Sequence, residues 1–185
     1  MIGNDVVDLN LAKTQSNWQR NRFLEKQFTD FEINQILISE NPFLHVWLFW
    51  SMKEAAYKCH VQEFQKRFFA PKKFSCKIVS NSIGVVEIDN IKYNINYTIS
   101  NRCVYSFAFK IDGKKMVSEL FFIKKNEIQT KNTNEKLLTH FSSEVQIQKN
   151  ELGIPYLVQN NQKLPFSIST SHHGNYGAYA ILDHR

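Results

Sequence analysis

The 185-residue sequence is short of glycine (six) and proline (four). That argues against collagen-like and low-complexity chains, and against glycine-loop nucleotide folds. It has no run of about eighteen apolar residues, the length a membrane-spanning helix needs. Its longest apolar stretch, Val46-Trp47-Leu48-Phe49-Trp50, is far too short. The three cysteines (Cys59, Cys76, Cys103) are odd in number and lack the paired spacing of a zinc site, so they read as free thiols in a reducing compartment. Met1-Ile2-Gly3-Asn4-Asp5 carries an acid where a signal peptide needs a basic head, so a cytoplasmic protein is expected. There is no dense Lys/Arg tract and no internal repeat.

What is present is ordinary for a globular chain: 43% hydrophobic and 22% charged residues. At this length roughly two thirds of the extended chain's surface can be buried, enough for a core without staples. The net charge of +6 favours phosphate-bearing or acidic partners: nucleic acid, a phosphorylated cofactor, anionic lipid or an acidic protein.

Residues 1–9 read as a short buried strand, followed by a helix from about 16 to 28 with Trp18, Phe23, Leu24 and Phe28 inward. Thr29 and Glu32 have capping-box spacing for a second helix to about Ile38. Asn41-Pro42 starts a third, running to about 64 and apolar almost all round in its first half. From 74 to 123 the pattern turns to strands (74–79, 85–88, 93–100, 104–110, 116–123). Asn81-Ser82, Asp89-Asn90, Asn101-Arg102 and Asp112-Gly113 separate them, as in antiparallel hairpins. Residues 124–136 are polar and unpatterned and read as a loop. Strands at 144–148 and 156–158 follow, then 165–171, a polar turn at 172–175, and a last strand at 176–182.

Three segments carry chemistry. Asp5 and Asp8 interrupt the apolar first strand; three apart, they point to opposite faces, so at most one serves a given site. Alone, the pair reads as acids at a strand end in water. In Trp50-Ser51-Met52-Lys53-Glu54-Ala55-Ala56-Tyr57-Lys58, Glu54 and Lys58 share a helix face. Together they can hold a magnesium ion and the phosphate it neutralises, or form a plain surface pair of about 0.3–0.5 kcal/mol. Ser167 to Tyr176 concentrates hydroxyls and imidazoles at a strand end, which suits an anion; alone it reads as a polar turn. It has no Gly-x-Ser-x-Gly elbow and no zinc spacing.

In order and content these segments resemble the 4'-phosphopantetheinyl transferase superfamily, of the small holo-acyl-carrier-protein synthase type. Ile2-Gly3-Asn4-Asp5 is similar to its metal-binding first strand, and residues 50–58 to its W-S-x-K-E-A-x-x-K helix. Gly153-Ile154-Pro155 is similar to its G-x-P, and Ser169-Thr170-Ser171-His172 to its S-x-S-H segment, with a second Ser-x-Ser frame at Ser167. Arg22-Phe23-Leu24-Glu25 resembles its early helix. The matches cover residues 1–60 and about 144–183. Where the larger type has a second acid, this chain has Val7.

The resemblance implies an α+β fold, with an antiparallel sheet packed on a long helix. It implies one transferase-like domain over 1–185 with a hairpin-rich insertion at about 65–140. It implies transfer of the phosphopantetheine arm of coenzyme A to a serine of an acidic apo carrier protein, releasing 3',5'-ADP. Mg2+ would be held by Asp5 and Glu54, with Glu54 and Lys58 catalytic. Lys53, Lys58, Ser169, Ser171 and His172 would bind coenzyme A, and Arg20, Arg22 and Lys26 would meet the carrier. Neither nucleic acid nor membrane is a partner on this reading. Small-type enzymes often trimerise, but the insertion leaves the oligomeric state open, and neither the carrier nor its pathway is identified. Two rivals stand beside it: a basic, aromatic-rich module gripping single-stranded nucleic acid, and an inactive transferase-like subunit that only binds carriers.

Overall fold

The computed structural model describes residues 1–68, 70–110 and 115–185. The expected Asp112-Gly113 turn lies outside them. The fold is α+β with antiparallel sheets, as expected. β1 (Ile2–Asp8) leads into α1 (Leu9–Gln15), α2 (Phe23–Gln27), α3 (Asp30–Ile38) and α4 (Pro42–Phe64). A 3-10 turn at Pro71–Lys73 precedes the hairpin strands β2 (Ser75–Ile78), β3 (Ile83–Ile88), β4 (Ile91–Ile99) and β5 (Cys103–Phe109). Then come β6 (Met116–Phe122), α5 (Gln129–Leu138), β7 (Gln146–Lys149), β8 (Pro155–Gln159), β9 (Gln162–Lys163), β10 (Phe166–His173) and β11 (Tyr176–Asp183).

The strands form a five-stranded sheet (β1-β5-β4-β3-β2), a three-stranded sheet (β10-β11-β6) and a small β7-β8-β9 sheet. The segment expected as an insertion thus supplies four strands of the sheet that β1 borders. α4 packs most heavily on β1 and β5. Its buried Leu48, Phe49, Met52 and Ala55 join Val86, Tyr93, Ile95 and Val104 of the sheet in the main core.

Local chemistry sets the α4 boundaries. Asn41 accepts from the Leu44 amide at 3.1 Å, Pro42 opens the first turn, and Gln65 in the left-handed region (φ 52°) ends the helix. α3 carries the capping box expected of Thr29 and Glu32. Asp89-Asn90 turn the β3–β4 hairpin with φ of 47° and 67°, values that asparagine and aspartate tolerate.

Three expectations fail. No helix spans 16–28: Asp8 caps α1 earlier, and Arg22, at φ 62°, separates residues 16–21 from the short α2. Residues 129–138 are helical, although 124–136 read as a loop. Only Thr133 and Leu137 of α5 are buried, too thin a stripe to show as periodicity in a polar sequence. β10 also runs on through His172 and His173, so the turn is only Gly174-Asn175.

The outer edge of β1 is closed by side chains instead of a strand. The Ile2 amide donates to Gln62 Oε1 (3.3 Å), Asn4 to Ser169 Oγ (3.0 Å) and Asp8 to His173 Nδ1 (2.9 Å). This arrangement lays β10 alongside β1.

Candidate active site

Gly3 sets the approach of β1 to α4. A Cβ there would collide with the Ala55 carbonyl oxygen and sit 2.6 Å from the Cys59 amide. Backbone therefore meets backbone, and Asp5 lies beside the helix face carrying Glu54 and Lys58. The Lys58 ammonium donates to Asp5 Oδ1 (3.1 Å) and to the Asn4 carbonyl (2.7 Å). The two side chains are 31% and 15% exposed, so this is a half-open pair and not a solvated surface one.

Two carboxylates and one ammonium make an unbalanced set. Burial pushes Glu54 up to about 7, and the negative charge of Asp5 pushes the same way against Lys58. Burial also raises Asp5, against the pull of Lys58 and His173. The two acids converge closely enough for one to disfavour ionisation of the other.

β10 brings the remaining predicted residues. A cavity of about 260 Å³ is lined by Asp5, Lys58, Ser171, His172, Thr130 and Lys149, among others. Ser169 lines a smaller adjoining cavity of about 150 Å³ with Lys58, Arg67 and Gly153. His172 touches Thr130 Oγ1 through Nε2 (3.1 Å). Burial holds it below the ordinary histidine value, with Lys58 and Lys149 adding to the effect.

Lys53 does not belong to this group. It is 2% exposed, and its ammonium donates to Glu32 Oε2 (2.8 Å), Pro71 O (3.1 Å) and Phe74 O (2.6 Å). All three protons are spent inside the protein, so no donor is left for a cofactor phosphate. Asp8 is not an acid in water either. It is 3% exposed, caps α1 through the Asn10 and Leu11 amides, and fixes the last turn through the Asn175 amide (3.1 Å). The second frame serine, Ser167, pairs with His184 Nε2 (2.7 Å), which places it apart from the Asp5 cluster.

The sequence model of the 4'-phosphopantetheinyl transferase superfamily matches residues 1–109. The chain belongs to that superfamily. No curated protein matches the sequence. The match includes the Asp5 strand, the Glu54–Lys58 helix turn, and the first part of the segment taken as an insertion. It ends before Ser169, so in this superfamily member Ser169, Ser171 and His172 reach the cluster through the packing of β10 on β1.

The superfamily uses coenzyme A and typically a divalent metal. Among the described residues no cluster of three or more His, Cys, Asp or Glu side chains is arranged to hold a metal. Magnesium, however, takes one or two protein carboxylates and completes its shell with phosphate oxygens and water. Asp5 and Glu54 are two desolvated carboxylates, the second raised further by the charge of the first, and a divalent ion would relieve both.

Sequence reasoning missed Thr130, Lys149 and Arg67. Thr130 sat in a segment read as a loop. Arg67 lies past the helix end with its guanidinium close to Gly153, where a Cβ would stand 2.9 Å from it. The glycine of the G-x-P was a usable signal for such a close approach. Among the described residues, neither Arg67 nor Lys149 has an ion-pair partner.

Proposed function

We propose that this chain transfers the 4'-phosphopantetheine arm of coenzyme A to a serine of an apo acyl or peptidyl carrier protein, as a holo-acyl-carrier-protein synthase. The reading takes 1–185 as one transferase domain in the cytoplasm. The observation that supports it is the Asp5–Lys58 pair at a cavity that Ser171 and His172 also line, with Glu54 on α4 near enough to feel both charges.

In the reaction, the carrier serine oxygen forms a bond to the β-phosphorus of coenzyme A. The bond from that phosphorus to the bridging oxygen breaks, and 3',5'-ADP leaves with the electron pair. Glu54, with a proton affinity near neutrality, suits the role of acceptor for the serine proton. Lys58 adds positive charge where the pyrophosphate must sit, and it holds Asp5 in place. Ser171 and His172 offer hydrogen bonds to phosphate oxygens. Mg2+ held by Asp5 and Glu54 would neutralise pyrophosphate charge and stabilise the leaving group.

The surplus positive charge favours an acidic carrier. Arg20, Arg22 and Lys26 are exposed around α2 and available to meet it. The nucleic-acid reading keeps little of its stacking platform: Tyr93, Tyr97, Tyr105, Phe109 and Phe121 are buried, with Phe107 half-buried and Phe122 exposed. The test is incubation with coenzyme A, Mg2+ and a panel of apo carriers, read by intact mass. The expected result is the added arm on at least one carrier. An inactive carrier-binding subunit would retain a carrier and add nothing.

A further inference from the structure

Asn4 stands between the glycine and the aspartate of β1 and is completely buried. It is bound on three sides to residues of the cluster. Its amide N–H donates to Ser169 Oγ (3.0 Å), its side-chain Nδ2 donates to Ser171 Oγ (3.0 Å), and its carbonyl accepts from Lys58 Nζ (2.7 Å).

The direction of these bonds matters. A serine hydroxyl has one proton to give and can accept as well. Both serines act here as acceptors from Asn4, so each keeps its own proton. Among the described residues, no acceptor receives either one. Ser169 borders the 150 Å³ cavity and Ser171 the 260 Å³ cavity, and Lys58 borders both.

We propose that Asn4 is a positioning residue for the phosphates of the donor. It meets each serine as a donor and so leaves the serine proton to be donated to a phosphate oxygen, while its carbonyl anchors the Lys58 ammonium. The inference rests on the transferase reading and adds a residue that touches no substrate. Aspartate at this position is the informative substitute. It has the shape of asparagine but only acceptor oxygens, so it would draw the Ser171 proton inward.

The experiment measures kcat and KM for coenzyme A in Asn4→Val, Asn4→Asp, Ser171→Ala and the Asn4→Val/Ser171→Ala double variant. Calorimetric binding of coenzyme A is measured alongside, with circular dichroism to confirm folding. A lost hydrogen bond to a charged group corresponds to a rise in KM of about tenfold or more, with kcat little changed. Asn4→Val and Ser171→Ala should each show it, and the double variant should be no worse than about twofold beyond either one. Asn4→Asp should raise KM at least as far; it carries the test should the valine variant not fold. An unchanged KM with only a lower melting temperature would overturn the proposal, as would losses that multiply in the double variant. A wild-type chain that binds no coenzyme A would overturn the transferase reading itself. Binding with multiplying losses would overturn only the role of Asn4.

Discussion

Two lysine–carboxylate pairs flank Glu54 on α4, and they differ in kind. Lys53–Glu32 is sealed, with side chains 2% and 0% exposed and an N···O distance of 2.8 Å. Every donor in it is used and both carboxylate oxygens accept: Glu32 also receives the Thr29 amide (2.7 Å) and the Cys76 amide (2.6 Å). Lys58–Asp5 is half-open at 3.1 Å, with a second carboxylate nearby and two cavities beside it. The sealed pair ties α3, the 3-10 turn and β2 to α4. The open pair has unspent capacity, which binding needs. Complete hydrogen bonding marks Lys53 as structural and separates it from Lys58, the lysine proposed to meet phosphate, five residues on along one helix.

The comparison can be broken, and the largest effect belongs to the sealed pair. Lys53→Met leaves Glu32 buried without its counter-charge, which costs about 3–5 kcal/mol and should lower Tm by on the order of 10 °C. A variant that melts normally but no longer binds coenzyme A would return Lys53 to the site. Next is Glu54→Gln, expected to reduce arm transfer by at least about 100-fold with the fold intact; full labelling of a carrier by this variant would remove Glu54 from the chemistry.

The third effect is on pH. The proton affinity of Glu54 is raised in the folded chain to about 7 from 4.5, so the folded state holds this proton more tightly than the unfolded one. The stability it contributes is complete below about 4.5 and disappears as pH rises through 7. Without metal, Tm should therefore fall between about pH 5 and pH 8, and Glu54→Gln should flatten the slope. Mg2+ binds the ionised carboxylates and should raise Tm more at about pH 8 than at pH 5. Asp5→Asn should abolish that rise; an unaltered magnesium response would show that the ion sits elsewhere. The smallest effect serves as the reference. Lys92–Glu87 is an ordinary surface pair (71% and 47% exposed), and Lys92→Ala should change stability by no more than about 0.5 kcal/mol in chemical denaturation.

What could be read in advance follows how local the signal was. The ends of α4, the α3 capping box and the hairpins from β2 to β5 rest on nearest-neighbour chemistry, and the sequence showed them. The Glu54–Lys58 face was legible because a helix fixes i to i+4. Which of two lysines points into the protein was not, because the acceptors of Lys53 come from Glu32, Pro71 and Phe74. Asp8 looked solvated because its partner turn lies more than 160 residues away. α5 escaped because a polar helix needs only Thr133 and Leu137 to dock it. The role of Asn4 had no sequence signal at all; it exists only where β1, α4 and β10 meet.

The side-chain seal along β1 has a consequence for association. A strand at the border of a sheet normally presents a row of free amides that can template another chain. Here a glutamine, a serine and a histidine occupy the amides of Ile2, Asn4 and Asp8, so an intruding segment would have to displace one at each of these rungs. At the opposite border, β2, Glu32 Oε1 takes the Cys76 amide, a lighter guard along the mostly exposed Ser75–Ile78. Strand exchange by this sheet would meet fewer side chains to displace there, at the border opposite Asp5.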